Sequence, residues 1–330
     1  LFESNEQGGL NALDKPNLAA ICTRSGSHLD LVVQAMPAPK PPGLGEIQVA
    51  LTASGLNFSD LVKFRGHYQV QTKLPFIVGG EASGRIEAVG PSVRDLSIGD
   101  AVLVPTGCVR FQTLLASQAT KVPDGVDLTV AASFRQNYQT AIDGLRRAQL
   151  RPGETLLVQG AAGGVGLAAV DLGLQMGARV IGVVSTEAKQ AVVARYGAQT
   201  ILLGDQGFRS EVLALTQGQG ADVIFDPVGG DVFDESVRCI APFGRILVVG
   251  FVSGRPALAK TNHLLVKDAV VIGYTVGGLR KHRPEEAERQ AQTLMRWLAA
   301  DRIKPFISHV LELEEIQAGY QLIVDREVVG

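Results

Sequence analysis

Residues Leu156–Val170 read LLVQGAAGGVGLAAV, two apolar runs separated by Gly160–Gly166, where six of seven residues have almost no side chain. Small residues are costly in chain entropy and add little to a core, so the stretch answers some other demand. A tight strand-to-helix turn whose amides approach a diphosphate makes that demand, because the positive end of the helix dipole then faces the phosphates. Ala161, Gly163 and Gly166 spell A-x-G-x-x-G, with Gly160 just ahead and Gly164 and Val165 inside the turn. Ala161 stands in for the first glycine of the usual pattern. A packed turn between strand and helix would ask for similar residues. Here, though, the motif follows an apolar strand, opens a helix and heads an alternating run, which predicts a dinucleotide-binding loop.

The alternation begins near residue 138. QTAIDGLRRAQL reads as a helix and TLLVQG as a strand. Then come strand RVIGVV, helix TEAKQAVVARYG, strand TILL, helix SEVLALTQ, strand DVIFDPV, helix DVFDESVRCI and strand RILVVG, with a last strand at DAVVIGYTV. Short, fully apolar strands between amphipathic helices predict an α/β fold with a doubly wound parallel sheet over 138–277. Residues 18–137 instead show short strands and Gly/Pro turns (LAAICT, EIQVALTASG, ASGRIEAVG, DAVLVP), the pattern of a β-rich domain. After the linker GGLRKHRP, a helix at about 284–300 and short apolar segments are expected to return to that first domain, which would comprise 18–137 and 278–330. Residues 1–17 are polar and expected to be loose.

Composition narrows the function classes. With 330 residues, 46% apolar and 19% charged, the chain is long enough for two cores. Its 31 basic and 33 acidic residues give a net charge of −2, so no polyanion-binding surface and no nucleic-acid partner is expected. Three scattered cysteines, Cys22, Cys108 and Cys239, argue against a disulfide framework. No apolar run reaches membrane-spanning length, and the first residues lack the basic and apolar regions of a signal peptide. A cytoplasmic protein without a membrane partner is the expectation.

The choice of dinucleotide is read about twenty residues beyond the glycines. An Asp or Glu at the end of the second strand would bind a free ribose 2′-hydroxyl and repel a 2′-phosphate. The sequence there is VVSTEAKQ, with Ser185 and Thr186 at the acid's place and Lys189 one turn later. Hydroxyls and an ammonium suit a phosphate, so NADPH is favoured over NADH. The competing reading makes Ser185 or Thr186 a helix cap and Lys189 a solvated charge. Glu187 could also turn toward the ribose.

GLNFSD (55–60), GAAGGVG (160–166) and FDPVGG (225–230), in this order, resemble the medium-chain dehydrogenase/reductase superfamily. Within it, the chain is similar to the zinc-independent, zeta-crystallin-like quinone oxidoreductases and their enoyl reductase relatives, from about Leu18 to Gly330. The resemblance implies a GroES-like β domain interrupted by a Rossmann domain, with the active site in the cleft between them. Zinc-dependent relatives carry a Cys at the position of Asn57 and a His at that of Gly80. Neither ligand type stands there, and the five histidines show no ligand spacing. No metal is expected.

The resemblance also implies roles for particular residues. It puts Asn57 and Tyr68 beside the nicotinamide, with Thr140 of NYQTA nearby. An amide can donate to a substrate oxygen as charge develops on it, and a phenol can supply a proton. Asn57 could equally be a turn residue, Tyr68 an aromatic lining an entry path, and solvent the proton source. Asp60 is expected to hold the loop. Gly250, Phe251 and Val252 at one strand end, and Asp226 to Gly229 at another, would approach the cofactor through backbone groups. Arg326 in LIVDREVVG matches an arginine that reaches the 2′-phosphate. A tyrosine that relatives often place near that phosphate falls on Gly204, which weakens the NADPH reading. Relatives run on past Gly330, so a trimmed C-terminus is implied.

Together these readings predict an NADPH-dependent oxidoreductase that passes a hydride to a quinone or other conjugated carbonyl. GLNFSD is also close to a stretch of polyketide enoyl reductases, which keeps reduction of an enoyl thioester or 2-alkenal as an alternative. From a different class, a non-catalytic NADPH-binding protein with a structural or RNA-binding role would need a basic or aromatic surface. The one short basic cluster is LRKHRP, 279–284. DAVVIGYTV is expected at the sheet edge, where exposed apolar backbone invites a second copy, so a homodimer is predicted.

Overall fold

A computed structural model describes residues 15–66, 68 and 72–330. Of the segment expected to be loose, 1–14 lie outside the described residues, and Asn17 already opens the first strand. Contacts divide the chain into two units, one of residues up to Arg135 with Ile307–Val328, the other of Gln136–Phe306 with Val329–Gly330.

The first unit holds β1 (Asn17–Cys22), β2 (Val32–Met36), β3 (Glu46–Ser54), α1 (Phe58–Phe64), β4 (Phe76–Ile77), β5 (Ala82–Val89), β6 (Ala101–Val104), β7 (Phe111–Leu115), β8 (Thr120–Lys121) and α2 (Leu128–Ala132). They form a three-stranded sheet, β2-β1-β4, and a five-stranded one, β7-β3-β5-β6-β8, antiparallel throughout. The period of two along EIQVALTAS turns Ile47, Val49 and Leu51 to one face, where they are buried with Ile86, Val102 and Val104. A side chain at Gly84 would collide with the backbone of Ala50. The glycine therefore lets β3 and β5 cross closely, beside the register shift between Leu51 and Ala53.

The second unit alternates. Its elements are α3 (Arg135–Arg147, whose first residue ends the first unit), β9 (Thr155–Val158), α4 (Gly164–Gln175), β10 (Arg179–Val184), α5 (Glu187–Arg195), β11 (Gln199–Leu202), α6 (Arg209–Leu215), β12 (Ala221–Asp226), α7 (Gly230–Arg238), β13 (Ile240–Val248), α8 (Thr261–Leu265), β14 (Val270–Gly273), α9 (Val276–His282) and α10 (Pro284–Ala299). The six-stranded sheet has order β11-β10-β9-β12-β13-β14, parallel at every pairing. The chain lays β10 and β11 on one side of β9 and β12 to β14 on the other. Strand order therefore reverses beside β9, the place where doubly wound sheets leave a crevice at their carboxyl ends. All four residues of β9 are buried, as a strand covered on both faces requires. The fold is thus the α/β class read from the sequence, a GroES-like unit with a Rossmann-like one.

Two boundaries differ from expectation. DAVVIGYTV is a strand only over Val270–Gly273, and the stretch read as linker GGLRKHRP is mostly helix α9. Thr275 caps that helix by accepting from the Gly278 amide at 3.0 Å, and Arg280, Lys281 and His282 complement its negative end. The return to the first unit comes at Ile307 rather than near 278. Helix α10 buries Ala287, Gln290, Ala291, Leu294 and Met295, and Gln139 Nε2 of α3 donates to the Ala287 carbonyl at 2.8 Å. The final helix, α11 (Ile316–Val324), belongs to the first unit and seats Tyr320 among Ala20, Leu61, Phe64 and Val78. No helix among the described residues is long and apolar enough to cross a membrane.

Within the second unit, Arg245 on β13 ties the sheet to the turn ahead of β9. It donates to the carbonyls of Ala148, Gln149 and Asp222 at 2.8, 3.2 and 3.3 Å, and to both Glu154 oxygens at 3.1 and 2.7 Å. Burial resists ionisation of Glu154, but the bonds from Arg245 and the Arg151 amide outweigh it and hold the carboxyl below its usual range. A depressed carboxylate contributes stability above its unfolded pKa, and the contribution is lost as pH falls through the folded value. Arg245→Met is expected to lower the unfolding free energy by about 3 kcal/mol at pH 7. The gap to wild type should narrow at pH 3, as read by denaturant titration.

Candidate functional site

The glycine loop lies where the sequence placed it, between the end of β9 and the start of α4. Gly160 adopts φ 56, a left-handed conformation that suits glycine. A side chain at Gly166 would run into the Gly160 carbonyl oxygen. Gly163 caps α4, and the first bond inside the helix runs from the Leu167 amide to the Gly163 carbonyl at 2.7 Å. The amides of Gly164, Val165 and Gly166 therefore precede every carbonyl that could accept from them within the helix. They are a set of aligned donors at the positive end of a twelve-residue helix. A cradle that even a methyl group would fill suits the diphosphate of a dinucleotide. Ala161, fully buried, donates its amide to the Val183 carbonyl at 3.0 Å and so fixes the loop to β10.

The neighbouring strand ends are joined to one another. Asp226, 1% exposed, accepts from the Val228 and Gly229 amides at 2.8 and 2.9 Å. Burial raises its carboxyl, and those two amides pull the other way without cancelling the rise. The Val252 amide donates to the Pro227 carbonyl at 3.1 Å, a side chain at Gly250 would reach the same oxygen at 3.4 Å, and half-exposed Phe251 covers Gly229. Gly250, Phe251 and Val252 thus form one rim with the loop after β12.

At the end of β10, Ser185 is exposed, while the Thr186 hydroxyl caps α5 by accepting from the Lys189 amide at 3.3 Å. Thr186 is therefore the helix cap that the competing reading required. Lys189 is half-buried on the first turn of α5, and Glu187 is exposed. Arg326 follows α11 with φ 60, in the first unit. Thr140 lies mid-way along α3 in the second unit. Its hydroxyl donates to the Gln136 carbonyl at 2.7 Å, and its own carbonyl accepts from the Tyr274 hydroxyl at 2.9 Å. Its proton is taken up inside the helix.

The first unit gathers the remaining groups around α1. Asn57 caps the helix in extended backbone, and its amide donates to Asp60 Oδ2 at 3.0 Å. Its side-chain Nδ2 donates to Glu81 Oε1 at 3.0 Å, so the amide group expected to face a substrate has one N–H committed to a buried carboxylate. Asp60 and Glu81 are each 1% exposed. Asp60 does hold the loop: besides Asn57 it accepts from Lys63 Nζ at 3.0 Å and from the Tyr320 hydroxyl at 3.2 Å. Burial and the Asp60 charge push the Tyr320 phenol up, and the same causes push the Cys108 thiol up to about 12. A reactive thiolate there is disfavoured. Tyr68 is half-buried, with Lys63 Nζ 5.6 Å from its ring centroid.

Sequence reasoning missed three residues. Lys63 lies three residues beyond GLNFSD and Glu81 just ahead of ASGRIEAVG, and nothing in their spacing shows that α1 and the β5 lead-in bring them to Asp60 and Asn57. Asn137 covers Gly164, where an added Cβ would come within 2.6 Å of its Nδ2. Among the described residues, no group of three or more His, Cys, Asp or Glu could hold a metal ion, and His67 lies outside them.

Comparisons with known proteins agree with this geometry. Residues 43–132 match the family model described as alcohol dehydrogenase GroES-like domain, and 164–297 match that described as zinc-binding dehydrogenase. Over 324 residues the chain is 37% identical to the quinone oxidoreductase-like protein 2 homolog of Nematostella vectensis, covering 94% of this chain and 87% of that one. It is 29% identical to an acryloyl-coenzyme A reductase of Metallosphaera sedula, covering 90% and 94% of the two chains. Escherichia coli quinone oxidoreductase complexed with NADPH superposes with a TM-score of 0.84 at 26% identity, covering 95% and 98%.

The loop itself can be probed without ligand. Gly166→Ala is expected to cost about 1–3 kcal/mol, because its methyl meets backbone that cannot move away. At Gly163 the nearest atom would be the Gly160 oxygen at 3.5 Å, so Gly163→Ala should stay within about 0.5 kcal/mol of wild type. Chemical denaturation of both variants checks the contrast.

Proposed function

Because this chain belongs to the quinone oxidoreductase family of the medium-chain dehydrogenases/reductases, we propose that it oxidises NADPH by hydride transfer to an electron-poor, conjugated carbonyl compound, a quinone or an enone. The observation that carries the reading is the row of donor amides at Gly164, Val165 and Gly166, in a loop where Gly164 and Gly166 leave no room for a side chain, at the carboxyl end of β9. That arrangement supplies fixed N–H dipoles for the diphosphate without reorganisation. Bound NADPH supplies the hydride.

In this reading Ala161, Gly163 and the three amides bind the diphosphate, and the Gly250–Val252 rim lines the cofactor. Ser185 and Lys189 bear on the 2′-phosphate. Lys189 stands on the first turn of α5, where an ammonium reaches a phosphate ester at the end of β10. Asn57 and Tyr68 orient the acceptor. Thr140 contributes shape rather than a proton, since its hydroxyl is bonded to Gln136. At position 80 a glycine offers no metal donor, so orientation falls to amide and phenol groups. Positioning and fixed dipoles then provide most of the acceleration. The likeness to an acryloyl-coenzyme A reductase supports a second acceptor class, an enoyl thioester.

Assembly is proposed from β14. Among the described residues it ends the sheet with Val270 52% exposed, and exposed Leu265 and Val266 come shortly before it in the chain, an edge that a second copy can continue. The three unpaired, buried cysteines support a reducing compartment such as the cytoplasm.

Purified protein should oxidise NADPH when offered a simple quinone or a 2-alkenal in parallel, and NADH more slowly. Oxidation of neither dinucleotide with any acceptor would favour a binding-only protein. Lys189→Ala should raise the NADPH Michaelis constant roughly tenfold, the worth of about 1.4 kcal/mol of charge-assisted contact, and change that for NADH little. Light scattering at micromolar concentration should give the mass of two chains, and a monomer would contradict the edge-strand assembly.

A further inference from the structure

Lys63 is a cation held in place beside groups already assigned to the acceptor. Its side chain is 23% exposed, and Nζ sits 3.0 Å from Asp60 Oδ1. Asp60 cannot swing away, because its other oxygen accepts from the Asn57 amide and the Tyr320 hydroxyl, and the residue is buried. The ammonium is therefore fixed relative to Asn57. On another side it faces the Tyr68 ring, 5.6 Å from the centroid.

On a further side it borders a position without a side chain, Gly80. A Cβ built on Gly80 would stand 3.8 Å from Lys63 Nζ, and among the described residues, apart from the glycine's own chain neighbours, no other atom comes within 4 Å of that point. Gly80 is exposed, while Glu81 next to it is buried and bound to Asn57 Nδ2. The absent side chain at 80 thus leaves the ammonium bordered there by bare backbone, with Asn57 held by the adjacent Glu81 and the Tyr68 ring against Lys63. A carboxylate oxygen takes one N–H, and an ammonium carries three. A cation anchored by Asp60 and bordering a position without a side chain is placed to hold an oxyanion.

We propose that Lys63 holds the negative charge that forms on the acceptor oxygen during hydride transfer, an inference resting on the reductase reading above. The hydride adds to the β-carbon of the conjugated carbonyl and the dinucleotide becomes oxidised. The carbon–carbon π pair shifts to form an enolate, whose charge rests on oxygen against Lys63. A proton from water then adds to the α-carbon, and Lys63 keeps its own protons throughout. Lys63 acts by charge and hydrogen bond, so the acceptors it favours place a carbonyl oxygen, rather than an alkyl group, over Gly80.

The test compares Lys63→Gln, whose amide still donates to Asp60 but carries no charge, with Lys63→Arg, which keeps charge. Steady-state turnover uses NADPH and a 2-alkenal, and thermal unfolding checks the fold. As a readout independent of turnover, 4-nitrophenolate serves as a stable oxyanion, its binding followed by absorbance. Lys63→Gln should lower kcat about a hundredfold, the usual cost of losing one oxyanion donor. Its KM and its affinity for NADPH should stay near wild type, and it should bind 4-nitrophenolate at least about tenfold more weakly. Lys63→Arg should retain nitrophenolate binding and recover most of kcat, and it carries the test alone should Lys63→Gln unfold. Unchanged kcat, a rise in KM alone, or unaltered nitrophenolate binding in Lys63→Gln overturns the proposal while leaving the reductase reading standing. So does loss of nitrophenolate binding in a folded Lys63→Arg. A wild-type protein that turns over no acceptor removes both.

Discussion

Everything in the second unit depends on how closely α4 can start behind β9. The parallel sheet is buried on both faces, so its central strand must pass straight into a covering helix without a loop long enough to carry unsatisfied backbone. That return is possible only because Gly166 presents no side chain to the Gly160 carbonyl and Gly160 adopts a positive φ. One steric allowance sets two outcomes together. It brings the helix against the sheet, and it leaves three amides aimed past the strand end with no partner inside the helix. Packing and anion binding are thus the same constraint seen from two sides, and neither could be relaxed without the other.

The first unit rests on a different device, two buried carboxylates that each hold backbone or amide donors. Isolated, either charge would be too costly to keep out of water. Asp60 is compensated by Lys63, the Asn57 amide and the Tyr320 hydroxyl, and Glu81 accepts from Asn57 Nδ2. Tyr320 comes from α11, some 260 residues along the chain from Asp60, so the last helix is pinned to the loop that carries Asn57. The cluster therefore orders the candidate acceptor groups and closes the unit in one set of bonds. Desolvated carboxylates of this kind are expected where geometry matters more than net stability.

The sheet was legible because its strands are short, apolar and separated by helices of the right period; LLV, RVIGVV and DVIFD could sit nowhere but inside a covered parallel sheet. The glycine loop was legible for the same local reason. What escaped was set by tertiary contact. Helix α9 hid because Gly277 and Gly278 look like linker, although Thr275 and the basic triplet at 280–282 carry its start and stop signals. Helix α10 was assigned to the wrong unit because amphipathicity says that a face is buried, not against what; Gln139 on α3 decides that. Thr140 was named only for its place near the nicotinamide, and its hydroxyl, like that of many threonines inside a helix, donates to the carbonyl four residues back. Lys63 and Glu81 were invisible as site residues, since their meaning lies in Asp60 and Gly80 rather than in any spacing.

A fixed ammonium and an amide can do for a carbonyl what bulk water cannot, and the magnitudes explain why Asp60 must be there. At about 4 Å and an effective dielectric of about 20, a full positive charge would stabilise an oxyanion by about 4 kcal/mol, worth roughly a thousandfold in rate. Left without a counter-ion, so strong a field would also bind any anion in the ground state and raise no turnover. Asp60, 3.0 Å behind Lys63 Nζ, cancels much of the long-range field while leaving the forward N–H bonds directed at short range. The pair is then nearly neutral to a distant anion yet still responsive to charge that appears on an oxygen in contact with it. That difference between approach and contact separates transition-state stabilisation from mere attraction, and it requires the carboxylate to be as immobile as Tyr320 and Asn57 make it.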